Sequence, residues 1–315
     1  MTKKWEAVYT RNSSQVVDPL AIASYLVIDK HEKYTGKSPS GLYFNKLMSL
    51  VDRKLRGSVN LKLPHCWYRY GDEVVRAAMP YNVKWDHMYD DKTIVTWKGD
   101  IPMLDDSIQV RLITGVIDEL TNAYAENVNL AVHEVYKFAP FEFQRQFLNV
   151  REIFYGMNNA FNWDANTYLT LSAPQFFKAL NSFPSHEFPQ LKERLQITRQ
   201  LAEITLNNPD VDNSILKDIM TTFWFHFCYY LRTHDEAHDN VPENYITYWN
   251  NILETEDARY RKIYADIIEK ISYSVDISGN KLLSDELNWK LKDDDEALKG
   301  LDEFEDDLAS ITMMR

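Results

Sequence analysis

Apolar residues recur every three or four positions through most of this sequence, and this spacing constrains the fold more than any other feature. The first such segment begins at Asp18, an expected N-cap, has Pro19 at the first helical position and ends before Gly36. A second segment follows it directly, and the spacing resumes near residue 105 and continues to about residue 275. In the helix that begins near residue 105, the predicted apolar face contains Ile108, Leu112, Val116 and Leu120. We therefore predict a mainly α, multi-helix protein.

The composition changes between about residues 59 and 98, where β-branched and aromatic residues are frequent. Alternating residues in YNVKW and KTIVTW flank the turn pattern DHMYDD, which predicts a β-hairpin. A sheet this small needs helices to pack against. The predicted fold is therefore mainly α, with a small antiparallel β-hairpin or sheet element at about 59–98. We predict helical domains at 1–160 and 161–275, followed by an acidic tail at 276–315.

The tail is dense in aspartate and glutamate and has few apolar residues. Such a segment is usually a solvated helix or a disordered terminus. An alternative is an amphipathic acidic helix that docks on a partner, because apolar residues recur in it at helical spacing. The candidate binding residues of this alternative are Phe304 and Leu308.

Charge and composition argue against several classes of function. A formal net charge of −12 disfavours a nucleic-acid binder for the chain as a whole, because phosphates require a basic face. Cys66 and Cys228 lie far apart and suit a reducing cytosol, and no apolar run is long enough for a signal peptide or a membrane span. We expect a soluble, cytoplasmic protein. The chain has only 9 glycines and no Walker loop, G-x-G-x-x-G, G-x-S-x-G or paired C-x-x-C, so no cofactor is predicted and an enzyme is the less favoured class.

The string THDEAH contains two histidines with the spacing of a metal motif. On a helix His234 and His238 would share one face, as the histidines of H-E-x-x-H do in zinc proteases. The string has no glutamate in the general-base position and no third ligand, and the chain becomes more polar toward Pro242. We therefore interpret it as a solvated helix end and keep a metal site at these two histidines as the alternative. His226 and Cys228 are assigned to the core of the preceding aromatic helix.

The most distinctive cluster is CWYRYG, in which Trp67, Tyr68, Arg69 and Tyr70 are consecutive. One interpretation is a strand whose aromatic side chains point alternately into the core and toward the outer face that covers it. The other is a partner-binding face, because tryptophan, tyrosine and arginine dominate interface hot spots. We take the second interpretation as the working prediction and place the partner interface at these four residues.

The region around this cluster resembles the Panacea (SocA-like) antitoxin domain. GLYFNKLMSLVDRKLRG followed by LPHCWYRYGDEVV is similar to that family's helix opened by a Lys-Leu pair and to its aromatic strand ending in Tyr-Gly. The resemblance covers about residues 15–155 and departs from the pattern at Asp72, where the family usually has proline. The matching positions are Lys46, Leu47, Leu50, Trp67, Tyr70, Gly71, His133, Pro140 and Phe141.

This resemblance implies an intracellular, non-enzymatic helical domain that neutralises a toxin or acts as an adaptor for degradation. We therefore expect a protein-interaction module of the antitoxin or defence type, which binds and masks a protein partner. Two alternatives stay open. One is a metal-dependent nuclease or hydrolase with scattered His, Asp and Glu ligands, and the other is a structural subunit of a larger complex.

Overall fold

The computed structural model describes residues 18–87, 93–159, 165–207 and 214–274. These residues form two compact units. The first unit contains the described residues up to Pro64 and those of Val74–Val132, and the second contains His65–Glu73 and the described residues from His133 onward. The predicted domain boundary at residue 160 and the acidic tail, with Phe304 and Leu308, lie outside the described residues.

The predicted mainly α fold with a small antiparallel β element is confirmed, since the described residues contain ten α-helices and five short strands. The helices are α1 (Pro19–Thr35), α2 (Gly41–Leu55), α3 (Ile108–Tyr124), α4 (Val128–Tyr136), α5 (Glu142–Asn159), α6 (Ala165–Asn181), α7 (Lys192–Asn207), α8 (Ser214–Leu231), α9 (Glu243–Asn251) and α10 (Leu253–Ser274). The strands are β1 (His65–Tyr68), β2 (Gly71–Val74), β3 (Val83–His87), β4 (Thr93–Trp97) and β5 (His238–Asp239).

In the first unit α1, α2 and α3 pack against one another, and local sequence determines where the first two begin and end. The Asp18 carboxylate accepts a hydrogen bond from the Leu20 amide at 3.0 Å, so the predicted N-cap of α1 is confirmed. Gly36 ends the helix in the left-handed conformation, with φ of 72°. The Ser40 hydroxyl accepts a hydrogen bond from the Tyr43 amide at 3.1 Å and begins α2 in the same way.

Strands β3 and β4 form the predicted antiparallel hairpin, with a register that runs from Val83 opposite Trp97 to His87 opposite Thr93. Strand β4 packs on both α1 and α2. The Trp85 ring of β3 meets the Phe44 ring of α2 edge-to-face at 5.4 Å. Helices therefore cover this hairpin, as its small size requires.

Helix α8 lies at the centre of the second unit, where it packs against α7, α10 and β1. It is buried around most of its circumference, which is typical of a helix enclosed by neighbours. Its Trp224 ring stacks on Phe147 of α5 at 4.4 Å, within a group of phenylalanine rings. On the other side, aliphatic residues and one tyrosine join α7, α8 and α10: Ile197, Leu201, Ile215, Ile219, Tyr264, Ile267, Ile268 and Ile271.

The second unit also contains a three-stranded sheet in the order β2-β1-β5. Its third strand, β5, is not predicted by the sequence pattern and comes from the segment after α8. His238 pairs with Cys66 and Asp239 with His65, in antiparallel register. This pairing ties the hairpin His65–Glu73 to the second unit, although the residues on both sides of it in sequence belong to the first.

Candidate functional site

The four residues of the predicted interface, Trp67 to Tyr70, occupy very different environments. The Trp67 side chain is only 3% exposed and packs edge-to-face on Tyr136 at 5.4 Å. Tyr68 and Arg69 are half-buried, whereas Tyr70 is 52% exposed. The structure thus places Trp67 in the core, as in the alternative interpretation of this segment as a core-covering strand. Of the four, Tyr70 has the accessibility that a contact with a partner requires, and its role in binding stays a prediction.

Contacts within the second unit hold Arg69 in place. Its carbonyl oxygen accepts a hydrogen bond from Trp224 Nε1 at 2.9 Å, and its Nη2 donates to the Tyr229 hydroxyl at 2.9 Å. Its guanidinium also lies over the Phe225 ring at 4.7 Å. Burial raises the pKa of the neighbouring Tyr68 phenol far above its ordinary value, so that hydroxyl is protonated near neutral pH.

The two histidines of THDEAH do not share a helix face. Helix α8 ends at Leu231, His234 caps a short 3₁₀ turn at Asp235–Ala237, and His238 lies in β5. The aromatic helix does end before this string, and Asp235 and Glu236 are exposed, but the histidines follow the helix because the chain turns there to pair with β1. His234 packs its ring against Phe141 and Phe188, each at 5.2 Å. Among the described residues, no group of three or more His, Cys, Asp or Glu side chains is arranged to hold a metal.

Asp72, the position where the sequence departs from the Panacea pattern, pairs with His65 across the β1–β2 hairpin. His65 Nδ1 lies 2.6 Å from Asp72 Oδ1, and both side chains are buried. A buried carboxylate is tolerated only when it is paired or hydrogen-bonded, so this contact fixes the hairpin. Sequence reasoning missed the pair, although a histidine and an aspartate on either side of a Tyr-Gly turn are its visible signature.

A second buried histidine, His226 of α8, contacts Asp257 of α10. His226 Nε2 lies 2.5 Å from Asp257 Oδ1, and the Tyr230 hydroxyl donates to the same oxygen at 2.7 Å. Burial lowers the pKa of His226, against the opposing effect of the Asp257 carboxylate. Burial acts to raise the pKa of Asp257, but the hydrogen bonds from His226 and Tyr230 outweigh it and lower that pKa. His226 and Cys228 both lie in the core, as predicted.

The predicted apolar face of α3 is not the face that packs in the first unit. Ile108 is 71% exposed and Leu112 is 42% exposed, whereas Leu120 is buried. Residues four apart advance by about 40° around a helix, so this row of side chains turns from solvent at the start of α3 to the core at its end. The residues that face the core are Val110, Ile113, Ile117, Leu120 and Thr121.

Ile108 and Leu112 continue an exposed apolar segment that precedes α3. We define the outer apolar surface of the first unit as Ile101, Met103, Leu104, Ile108 and Leu112, all of which are exposed. Ile101 and Met103 also line a groove of about 400 Å³ within the same unit. The other apolar side chains of this groove are Ala21, Ile22, Pro80, Tyr81, Trp97 and Pro102.

Ordered contacts fix one wall of the groove. The indole Nε1 of Trp97 donates to the Asp100 carbonyl oxygen at 3.1 Å, and its ring meets Tyr25 of α1 edge-to-face at 5.6 Å. The Asn82 side-chain amide donates to the Lys98 carbonyl oxygen at 2.7 Å, which ties the two ends of the hairpin together. The groove is therefore largely preformed. Sequence reasoning missed it because IPMLDDS reads as a connection between elements.

Comparisons of the chain with family models, curated proteins and solved structures found no match. The resemblance to the Panacea domain therefore stays a prediction, as does a cytoplasmic location. Within the described ranges, no helix has the length and apolar character that crossing a bilayer demands.

Proposed function

We propose that this chain is a non-enzymatic protein-interaction module that binds a protein partner through the outer apolar surface of the first unit. The observation that carries the proposal is the outward-facing start of α3, where Ile108 and Leu112 are exposed one helical turn apart. Large exposed apolar patches mark interaction sites, and these side chains are close in sequence and all exposed. The adjoining groove supplies the pocket in which hot-spot side chains bind.

Acidic residues around this surface indicate the chemistry of the partner. Asp18 and Asp100 line the groove, and Asp105 and Asp106 lie between Leu104 and Ile108 in sequence. Hydrogen bonds from Ser107 lower the pKa of the Asp105 carboxyl, which is therefore ionised at neutral pH. We propose a partner that presents apolar side chains flanked by lysine or arginine, because complementary charges guide and orient such contacts.

We further propose that binding masks the functional surface of the partner, in the manner of an antitoxin or a defence protein. Its support is the resemblance of residues 15–155 to the Panacea domain. The outer apolar surface adds a physical reason, since a partner bound there would have its own apolar surface covered.

The test is capture of the partner from an extract of the source cells by the full chain, with two variants. Ile108→Glu/Leu112→Glu places two charges on the outer apolar surface, and Asn122→Glu/Ala123→Glu places two charges at exposed positions of the same helix. We expect one protein to be captured by the wild type and by the second variant, and at least tenfold less by the first. Equal capture by both variants, or no selective capture by the wild type, would overturn the proposal.

A further inference from the structure

Two arginine side chains of the second unit lie against the same pair of tyrosine rings. The guanidinium carbons of Arg69 and Arg232 are 5.3 and 5.0 Å from the centre of the Tyr68 ring. They are 5.3 and 4.6 Å from the centre of the Tyr229 ring. Arg69 comes from the β1–β2 turn and Arg232 from the end of α8, so the fold brings two cations together from distant parts of the chain.

Neither cation is neutralised within the part of the chain that the structure describes. Arg232 is only 8% exposed, and its Nε and Nη2 are buried with no hydrogen-bond partner among the described residues. The same holds for Nε of Arg69, whose Nη2 bonds to a phenol rather than to a carboxylate. A guanidinium carries five N–H donors, and a buried ion without a partner is unfavourable because its lost hydration is not replaced. Contacts with aromatic faces offset part of this cost but leave the N–H donors without acceptors.

A third guanidinium, that of Arg151, lies in the same unit. Arg151 lies over the Tyr70 ring at 5.9 Å, and its Nη1 is likewise buried with no partner in the described ranges. Burial raises the pKa of the Cys228 thiol, and the charged groups that act on it most strongly are Arg69, Glu73, Arg232 and Arg151. Three guanidinium groups, those of Arg69, Arg232 and Arg151, therefore act on this one buried thiol.

We infer that Arg69 and Arg232 form a binding site for a phosphate group, either inorganic phosphate or the phosphate of a small phosphomonoester. A phosphate monoester carries a charge of about −1.5 to −2 at neutral pH, so it can pair with both guanidinium groups. The planar fork of arginine donors fits phosphate oxygens in pairs. Tyr68, Arg69 and Phe225 are only half-buried, so this side of the arginine pair is the one nearer to solvent. The buried ring of Trp249, 5.3 Å from the Arg232 guanidinium, forms part of its inner wall.

The test is a thermal unfolding titration of the full chain with inorganic phosphate, with sodium chloride at matched ionic strength as the reference. We expect a saturable rise of Tm with phosphate that chloride does not produce. Arg69→Gln and Arg232→Gln should each weaken the apparent phosphate affinity about tenfold or more, since each removes charge-assisted hydrogen bonds. Lys217→Gln, which removes one exposed charge from α8, should leave the affinity unchanged.

Titrations with glucose 6-phosphate and with sulfate distinguish the possible ligands. A higher affinity for glucose 6-phosphate than for phosphate indicates a site for a phosphorylated metabolite. Equal affinities for all three indicate a site for the free ion. A Tm rise that does not saturate, or that is equal in chloride, would overturn the inference. Equal phosphate affinity in wild type and Arg69→Gln would also overturn it. If Arg232→Gln does not fold, the test can still be made with Arg69→Gln, because Arg69 is only half-buried. The result is independent of the proposed protein partner, because the site lies in the second unit.

Discussion

Replacing Ile108 by alanine should weaken partner binding without weakening the fold. Ile108 is 71% exposed, so most of its side chain remains to be buried by a partner. Full burial of an isoleucine side chain contributes about 1.5–3 kcal/mol, and the exposed part therefore accounts for about 1–2 kcal/mol. This corresponds to an increase in Kd of roughly 5- to 30-fold, since about 1.4 kcal/mol is a factor of ten. The free energy of unfolding should change by less than about 0.5 kcal/mol, as at other exposed positions.

Ile113 on the same helix provides the matched control. It is fully buried between α3 and the rest of the first unit. Ile113→Ala should lower the free energy of unfolding by about 2–5 kcal/mol because it leaves a cavity. Its Kd for the partner, measured below its unfolding transition, should stay close to that of the wild type. Isothermal titration with the captured partner gives Kd, and urea unfolding gives stability.

The reasoning is refuted if Ile108→Ala destabilises the fold by more than about 1 kcal/mol, which would place this side chain in a core. It is also refuted if Ile108→Ala leaves Kd unchanged. Opposite effects of two isoleucines on one helix are hard to obtain from a general perturbation, so the pair of variants separates binding from folding.

Three further predictions concern the second unit. Trp67→Ala should lower the free energy of unfolding by about 3–5 kcal/mol, whereas Tyr70→Ala should change it by less than about 0.5 kcal/mol, measured by urea unfolding; comparable losses would contradict the burial difference. Cys228 is buried and its pKa is raised, so a maleimide reagent should label it only after unfolding, and rapid labelling of the native protein would refute this. Burial lowers the pKa of His226, so the unfolded chain binds more protons between that lowered pKa and the ordinary value of about 6.5. Stability should therefore fall as pH drops through this range, and His226→Gln should reduce the slope; an identical slope in both proteins would argue against it.

Local signals in the sequence were sufficient for the helices and the hairpin of the first unit. Asp18 and Gly36 act through contacts with residues two to four positions away, and such contacts are visible in a short stretch of sequence. Apolar and polar residues alternate in the two segments that flank DHMYDD, so the hairpin they form is also visible in a short stretch of sequence. The outer apolar surface was not predictable, because a row of apolar residues on a helix does not reveal which end of the row meets the core. Ile108 and Leu120 belong to one row and have opposite environments.

Long-range pairing explains the other differences. Strand β5 has two residues, too few to show any alternation, and it exists only because β1 lies beside it. The environments of Trp67 and Arg69 depend on α8, and the Arg69–Tyr229 hydrogen bond joins residues 160 positions apart. No periodicity connects positions so distant. The candidate phosphate site, which depends on the same contacts, could therefore be recognised only from the structure.

The hairpin His65–Glu73 has a consequence for how the chain matures during synthesis. It leaves the ribosome early, among residues of the first unit, yet its strand partner and its core contacts are in β5 and α8. Until β5 is made, one edge of β1 has no strand partner, and an exposed strand edge is a site for aggregation. The second unit can therefore close only late, by a slow non-local step. For the same reason, a fragment that begins at His133 would lack two of the three strands of its sheet, and we expect it to be insoluble when expressed alone.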